Sequence, residues 1–524
     1  MLLLFTAGLG RTALWDNDEA LYTEIARQIV RRADPMTLYW NGSPWFVHPP
    51  LAFWLSAATG ALLGFSEFTA RLWSVLFGTA GVLVTYLLGR RLYDHRTGII
   101  SGLILATSLE YVILARGAGL DMPLLAFMLA AFYMVIVAEG NAESAARRRA
   151  YRWAFLWAGL ATLSKGPIGL LLPGMVIGAW WLLRGVGRQR LRALPWDGFA
   201  IYAAVGLSWY AVEAIRWGMP FLRQVVGYYM FTRFFGVVEN QPGPWYYYVP
   251  VLLIAAFPWT AYLPGAVIHH SRQIRQDGRS ALLLLWMGIT FVFYSLARTK
   301  LPNYILPVLP AAAIAISRVF ALGEGGGPVR RLVRASTAVL IVVVVLVPAA
   351  IGVYLQRAYP AEFAAVGTLL LPPALLAAAA ALLHGALIGR RPAAALGSLI
   401  VLTAAAYGAL VLYTAPRLEP LRPMRPLAQI LRAEARPGDR IVAVGQVQRS
   451  ALVYYSEHRV GRVGPRPGDL RREMCGRPRA YVVVSRADYE RWLQAAFPGD
   501  FTPVAEKGSM MLLRLAKWIP CGPL

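Results

Sequence analysis

The chain has 524 residues, of which 57% are hydrophobic and only 15% charged, with 52 lysines and arginines against 27 acids and a formal net charge of +25. With a mean hydropathy of +0.50, this composition excludes an ordinary soluble domain and points to a polytopic membrane protein. The positive charge does not mark a nucleic-acid binder, because the arginines stand in short groups between apolar runs, where they act as topology markers.

Apolar runs of about 18 residues are long enough to cross a hydrocarbon core of ~30 Å as helices. In chain order they predict thirteen helices, at roughly 1–14, 67–90, 97–115, 120–139, 151–165, 167–184, 196–216, 246–268, 280–297, 303–321, 332–355, 364–388 and 392–414. The first run, LLLFTAGLG, is short: either residues 11–15 complete it or the chain starts upstream, and it has no cleavage site of a removable signal.

The connections fall into two sets. GRRLYDHR, ARRRAYR, RGVGRQRLR, HHSRQIRQDGR, VRRLVR and GRR are short and arginine-rich, as cytoplasmic loops are. The other set holds the 15–66 segment, ARGAGLDM, SKGP, the 217–245 segment, ARTKLPN and the tail from about 415. This places the N-terminus in the cytoplasm and the tail outside. It also gathers Asp18, Glu19, His48, Asp121, Lys165, Arg233, Arg298, Lys300 and Asn303 at the outer face. Lysine is informative because the chain has only four, at 165, 300, 507 and 517.

The tail, residues 416–524, alternates short β-branched runs (RIVAVG, YVVVS, MMLLRL) with helix-like stretches, which suits a small α/β domain after the membrane domain of residues 1–415. It holds both cysteines, Cys475 and Cys521, which an oxidising outer face would allow either to pair or to stay free.

Each polar group has a plain reading beside a functional one. Asp16, Asp18 and Glu19 precede ALYTEIARQIVRRAD, so they complement a helix dipole; Asp16 needs nothing more. The adjacent Asp18 and Glu19 point to two faces, and a carboxylate near an acceptor takes its proton as general base. His48, before Pro49 and Pro50, is a turn histidine, a phosphate ligand or a partner for a carboxylate. Asp121 caps a helix, or is a functional ionisable group at the membrane boundary. Lys165 in SKGP and Arg298, Lys300, Asn303 and Tyr304 in ARTKLPNY either snorkel to the interface or form an anion site. The aromatic segment 217–245, with Arg223 and Arg233, is an interfacial belt, or covers a lipid chain while one arginine grips its phosphate.

WDNDEALYTEIAR, FVHPPLAFWL, FTARLWSVLFG, RGAGLDMPLL, LSKGPIGLLLPG, GPWYYYVP and LARTKLPNYILPVLPA, in this order, resemble the polyprenyl-phosphate-sugar-dependent glycosyltransferases of the GT-C class, near the aminoarabinose transferases of lipid A and the protein O-mannosyltransferases. The resemblance implies an α-helical polytopic membrane protein, GT-C-like, with about thirteen transmembrane helices and a small C-terminal α/β extracytoplasmic domain. It implies transfer of a sugar, with inversion, from an undecaprenyl-type phosphate donor to an acceptor on the outer face of the bacterial inner membrane: lipid A, another envelope glycan or a protein. Carried over by motif, Asp18 is the catalytic or acceptor-orienting carboxylate with Glu19 beside it, and Asp121 is the second acid. Lys165, Arg233, Lys300 and Tyr304 stand where the family keeps groups near the carrier phosphate. Aminoarabinose transferases typically carry lysine where this chain has His48, so the acceptor is open. No cofactor is required; two acids and a histidine in one loop are compatible with a divalent metal, but no spacing demands one. A flippase of lipid-linked sugars is the alternative, and would place ionisable groups at mid-bilayer within inverted repeats.

Overall fold

The computed structural model describes all residues except 16, 17, 239, 240, 324–326, 359, 520 and 522–524; Asp16 therefore lies outside the described residues. The chain forms two compact units, one of Met1–Leu9, Phe46–Ala52 and Arg71–Thr414, the other of Gly10–Trp45, Phe53–Ala70 and Ala415–Leu524.

Among the described residues six helices are long and apolar enough to cross a membrane: Glu67–Leu92, Asp121–Glu139, Gly278–Leu296, Pro302–Leu322, Val366–Leu387 and Pro392–Leu421. Three bent pairs raise the number to nine: His95–Ala106 with Leu109–Arg116 (66°), Trp196–Gly206 with Ser208–Trp217 (50°), and Tyr248–Ala255 with Trp259–Ser271 (112°). Three of the spans predicted but not counted have local causes. Residues 1–14 do not make one span, because helix Leu2–Thr6 ends after five residues and Gly8 takes φ 64°. Ser144–Lys165 is a full 22-residue helix, but arginines fill its first turns. Ile168–Leu183 has only 16 residues. The predicted span at 332–355 does fall within one 32-residue helix, Gly327–Ala358, not all of whose side chains are described.

A helix broken inside hydrocarbon frees backbone groups that must find partners within the protein. Two of the breaks in the first unit serve each other: the Leu109 N–H donates to the Phe257 carbonyl at 3.0 Å, and the Trp259 Nε1–H donates to Thr107 Oγ1 at 3.0 Å. The Tyr407 hydroxyl adds a second donor to Phe257 at 2.9 Å. Arg116, at the end of its helix, donates to the carbonyls of Leu4, Phe5 and Ala7 at 2.6–2.9 Å and so closes helix Leu2–Thr6.

In the second unit the β-branched runs of the tail form a five-stranded sheet. Its strands are β3 (Arg440–Val444), β4 (Gly461–Val463), β5 (Ala480–Ser485), β6 (Phe501–Lys507) and β7 (Met510–Leu515), after a two-stranded hairpin of β1 (Tyr39–Trp40) and β2 (Ser43–Pro44). The order is β4-β3-β5-β7-β6, parallel between β3 and each of β4 and β5 and antiparallel at β5–β7 and β7–β6. Side chains alternate between faces: Val442, Val444, Val482 and Val484 pack in one buried cluster, Ile441, Ala443, Tyr481 and Val483 in the other. Helices cover both faces, which is why the central strands read as continuous apolar runs.

Cys475 and Cys521 form a disulfide with a Cα–Cα distance of 5.0 Å and a sequence separation of 46. Closing a loop of that length restricts the unfolded chain, so replacing both cysteines by serine should lower the stability of this unit by about 2–4 kcal/mol. Denaturant unfolding of the purified full-length protein followed by an intrinsic probe of the second unit checks this, and a change below 0.5 kcal/mol (roughly the scatter of surface substitutions) would contradict it.

Candidate functional site

The first unit holds an open, largely apolar cavity of about 500 Å³ whose lining includes His48, Asp121, Lys165, Arg233, Asn303 and Tyr304. Asp121 is the first residue of helix Asp121–Glu139, and Lys165 is the last of helix Ser144–Lys165. An acid at a helix N-terminus and a cation at a helix C-terminus each complement the dipole of their own helix. They meet as an ion pair: Lys165 Nζ lies 2.5 Å from Asp121 Oδ1. The other carboxylate oxygen, Oδ2, accepts from Asn303 Nδ2 at 2.9 Å. Gly166 turns the chain away from Lys165 with φ 120°, a conformation open to glycine and strained for other residues. At Gly169 an added Cβ would stand 2.5 Å from the Thr162 nitrogen, so the two helices can approach this closely only without a side chain there.

Tyr304 joins this pair to the aromatic segment. Its hydroxyl accepts from Arg233 Nε at 2.9 Å, and its ring centre lies 5.6 Å from Lys165 Nζ. His48, half-buried, sits within the field of both cations. Burial first, then the charges of Lys165 and Arg233, hold its proton affinity well below the ordinary value of 6.5, against a hydrogen bond with the Lys165 backbone. At neutral pH the imidazole is therefore uncharged. Phe231, Phe235, Leu171 and Tyr229 make much of the apolar wall. The cavity thus offers two fixed cations, a neutral imidazole and a carboxylate bound to one of those cations, above a wall suited to hydrocarbon.

Not every sequence-predicted residue is there. Lys300 is buried and donates to the carbonyls of Ser295 and Ala297 at 2.7 Å and of Tyr294 at 3.4 Å. It satisfies acceptors left over at the end of helix Gly278–Leu296. Arg298 donates its backbone N–H to the Phe234 carbonyl at 2.9 Å, and Lys300 donates its own to Gln241 at 3.1 Å. Between them Thr299 Oγ1 donates to Gly236 at 2.9 Å and accepts from the Val238 N–H at 3.0 Å. Residues 298–300 are thus a strap that holds the loop carrying Arg233, and of the three only Thr299 lines the cavity; sequence reasoning overlooked it, since a threonine between two cations gives no signal of its own. Arg223 is exposed.

Asp18 and Glu19 belong to the second unit, at the start of helix Asp18–Arg32. Glu19 is buried and accepts from the Trp15 N–H at 2.8 Å; Asp18 is exposed. The stretch before them is clamped within that unit. Ala13 N–H donates to Glu419 Oε1 at 3.0 Å and Leu14 N–H to the Tyr455 hydroxyl at 2.8 Å. Arg422 donates to the carbonyls of Ala13 and Leu14 at 2.9 and 3.0 Å and covers the Trp15 ring at 4.6 Å. Among the described residues no three His, Cys, Asp or Glu side chains are grouped closely enough to hold a metal ion.

Comparison with known proteins bears on the fold and on sequence kinship. The family pattern of dolichyl-phosphate-mannose-protein mannosyltransferases matches residues 47–213. The undecaprenyl phosphate-alpha-4-amino-4-deoxy-L-arabinose arabinosyl transferase of Pseudomonas aeruginosa (strain UCBPP-PA14) is 31% identical over 326 residues, which is 60% of this chain and 56% of that one. Its counterpart in Pectobacterium carotovorum is 29% identical over 320 residues, again 60% and 56%. The chain thus spans about half the length of the curated relatives it matches. The crystal structure of ArnT from Cupriavidus metallidurans bound to undecaprenyl phosphate superposes with a TM-score of 0.80 over 100% of this chain and 98% of that one, at 21% identity. The fold is therefore GT-C-like, and the chain is related in sequence to aminoarabinose transferases and protein O-mannosyltransferases, as the ordered motifs suggested.

Two outcomes follow from the geometry. Lys300→Met leaves helix-end carbonyls unsatisfied and should cost about 2 kcal/mol of stability, whereas Arg233→Ala should leave stability nearly unchanged; thermal unfolding of the two variants decides, and equal effects would refute the strap role. For His48 the sign is fixed by its depressed proton affinity: the folded state prefers the neutral form, so its contribution is complete above ~6.5 and is lost as pH falls below that value. Lowering the pH from about 7.5 to 5.5 should destabilise the native chain by about 1 kcal/mol more than His48→Gln. A histidine NMR titration showing His48 charged at pH 7 would contradict this.

Proposed function

We propose that this chain transfers a sugar, with inversion, from an undecaprenyl-type phosphate carrier to an acceptor at the outer face of the bacterial inner membrane. The observation that carries the reading is the Asp121–Lys165 pair joined through Tyr304 to Arg233 at the head of an apolar cavity. A polyprenyl phosphate has that same polarity, a charged head on a hydrocarbon chain.

In the transfer the bond between the anomeric carbon and the phosphate oxygen breaks, and its electron pair leaves with the carrier as a phosphate monoester. Negative charge grows on that leaving group, and fixed cations stabilise it most where water is excluded. Lys165 and Arg233 supply those charges, with Arg233 as a planar donor held by Tyr304. Asp121 has both carboxylate oxygens engaged, by Lys165 and Asn303, so it positions the ammonium. The acceptor forms the new bond to the anomeric carbon and gives up a proton. That proton goes to Asp18, a role proposed on the strength of the WDNDEALYTEIAR motif alone. His48, uncharged in the free site, gains proton affinity as a phosphate enters between it and the cations.

The acceptor class is an envelope lipid, glycan or protein. Support for the outer-face placement comes from the arginine-rich loops and from a disulfide in the tail, which suits an oxidising compartment.

A labelled polyprenyl-phosphate sugar presented to purified protein with an envelope extract as acceptor tests the reading. Arg233→Ala and Lys165→Ala should each lower kcat/KM by about 10²–10³-fold, and Asp18→Asn should abolish release of free polyprenyl phosphate while leaving donor binding intact. Full transfer by Asp18→Asn would remove Asp18 from the reaction, and full transfer by all three variants would overturn the reading.

A further inference from the structure

Helix Pro302–Leu322 connects two different sites of the first unit. Asn303 and Tyr304 at one end line the cavity described above; Phe320, sixteen residues on, lines another of about 230 Å³. At 1.5 Å per residue the two lie ~24 Å apart along the helix, close to the thickness of a hydrocarbon core.

Three arginines from three separate elements line this second cavity: Arg96, Arg330 and Arg390. Arg96 lies in the first turn of helix His95–Ala106, Arg330 in the first turn of helix Gly327–Ala358, and Arg390 just before helix Pro392–Ala409. All three helices begin at the cavity, so their dipoles add positive potential to that of the guanidinium groups. Arg330, half-buried, donates to the Gly389 carbonyl at 2.6 Å, which ties the loop of Arg390 to its own helix. The acid of this region, Asp94, is engaged elsewhere: it accepts from the Thr97 N–H at 2.8 Å to cap its helix and from Arg318 at 3.3 Å. Between the arginines the wall is apolar, with Ile100, Val333 and Leu396.

Arginines spread over exposed loops would be orientation signals alone. Three that converge on one hollow with an apolar floor match an anionic group carried on hydrocarbon. We propose that this cavity is a second binding site, separate from the sugar-transfer site, for the phosphate headgroup of an anionic membrane phospholipid. The guanidinium groups of Arg96, Arg330 and Arg390 bind the phosphate oxygens, and the apolar floor takes the glycerol end of the acyl chains. A free phosphate ester shares the charge chemistry but leaves that floor unused.

The test uses the full-length protein in nanodiscs of phosphatidylcholine with a minor fraction of phosphatidylglycerol, released into native mass spectrometry. Wild type should retain phosphatidylglycerol over phosphatidylcholine by about tenfold or more. The triple variant Arg96→Gln, Arg330→Gln, Arg390→Gln should lose that preference. Leu396→Trp, which fills the hollow but keeps every charge, should lose it too, so a folding defect of the triple variant does not decide the matter. Arg148→Gln with Arg149→Gln, on another arginine-rich loop, should keep it. Unchanged preference in both the triple variant and Leu396→Trp, or equal loss in the Arg148/Arg149 control, would overturn the site. Displacement of phosphatidylglycerol by equimolar glycerol 3-phosphate would overturn the lipid assignment.

Discussion

The Asp121–Lys165 ion pair is the contact from which the rest of the cavity takes its geometry. Charge at a membrane boundary is expensive unless it is compensated, and here each partner is favoured by its own helix end before the two meet. Asn303 takes the second carboxylate oxygen, so the pair fixes three chain segments at one point: the starts of Asp121–Glu139 and Pro302–Leu322 and the end of Ser144–Lys165. Tyr304 follows directly after Asn303, and its hydroxyl sets Arg233. Removing one member of such a pair strands the other in apolar surroundings, which costs more than the pair itself contributes.

The broken spans obey the same accounting for backbone groups. The bends near Thr107 and Phe257 are tolerable because each supplies what the other lacks, and the straight spans can then pack around them. A chain built only of straight helices would have no use for the buried Trp259–Thr107 contact.

Much of this was legible beforehand, for identifiable reasons. Helices at 67–90, 120–139 and 280–297 appear within a few residues of their predicted ends, because apolar run length depends only on local composition. The tail strands were legible for the same reason, RIVAVG and YVVVS being β-branched runs. Bends were not, because hydropathy has no direction: 97–115 and 246–268 read as single spans although Ser108 and Pro258 sit at the breaks. The rarity of lysine drew attention to two residues that the fold uses differently: Lys165 lines the cavity, whereas Lys300, four residues past Leu296, is a cation closing a helix end. Pairing of Asp121 with Lys165 could not be read at all, since 44 positions separate them and only packing brings them together. Nor could the recruitment of residues 10–45 into the C-terminal unit, which depends on contacts across more than 400 positions.

That last arrangement imposes an order on synthesis. Partners of Ala13 and Leu14 include Glu419, Arg422 and Tyr455, so these contacts cannot form until Glu419, 406 positions beyond Ala13, has left the ribosome. Closing so long a loop is entropically costly and slow. A nascent or prematurely terminated chain can thus insert its spans while these contacts are still unmade. For the same reason a fragment holding the tail alone would lack the part of its unit that residues 10–45, at the opposite end of the gene, supply.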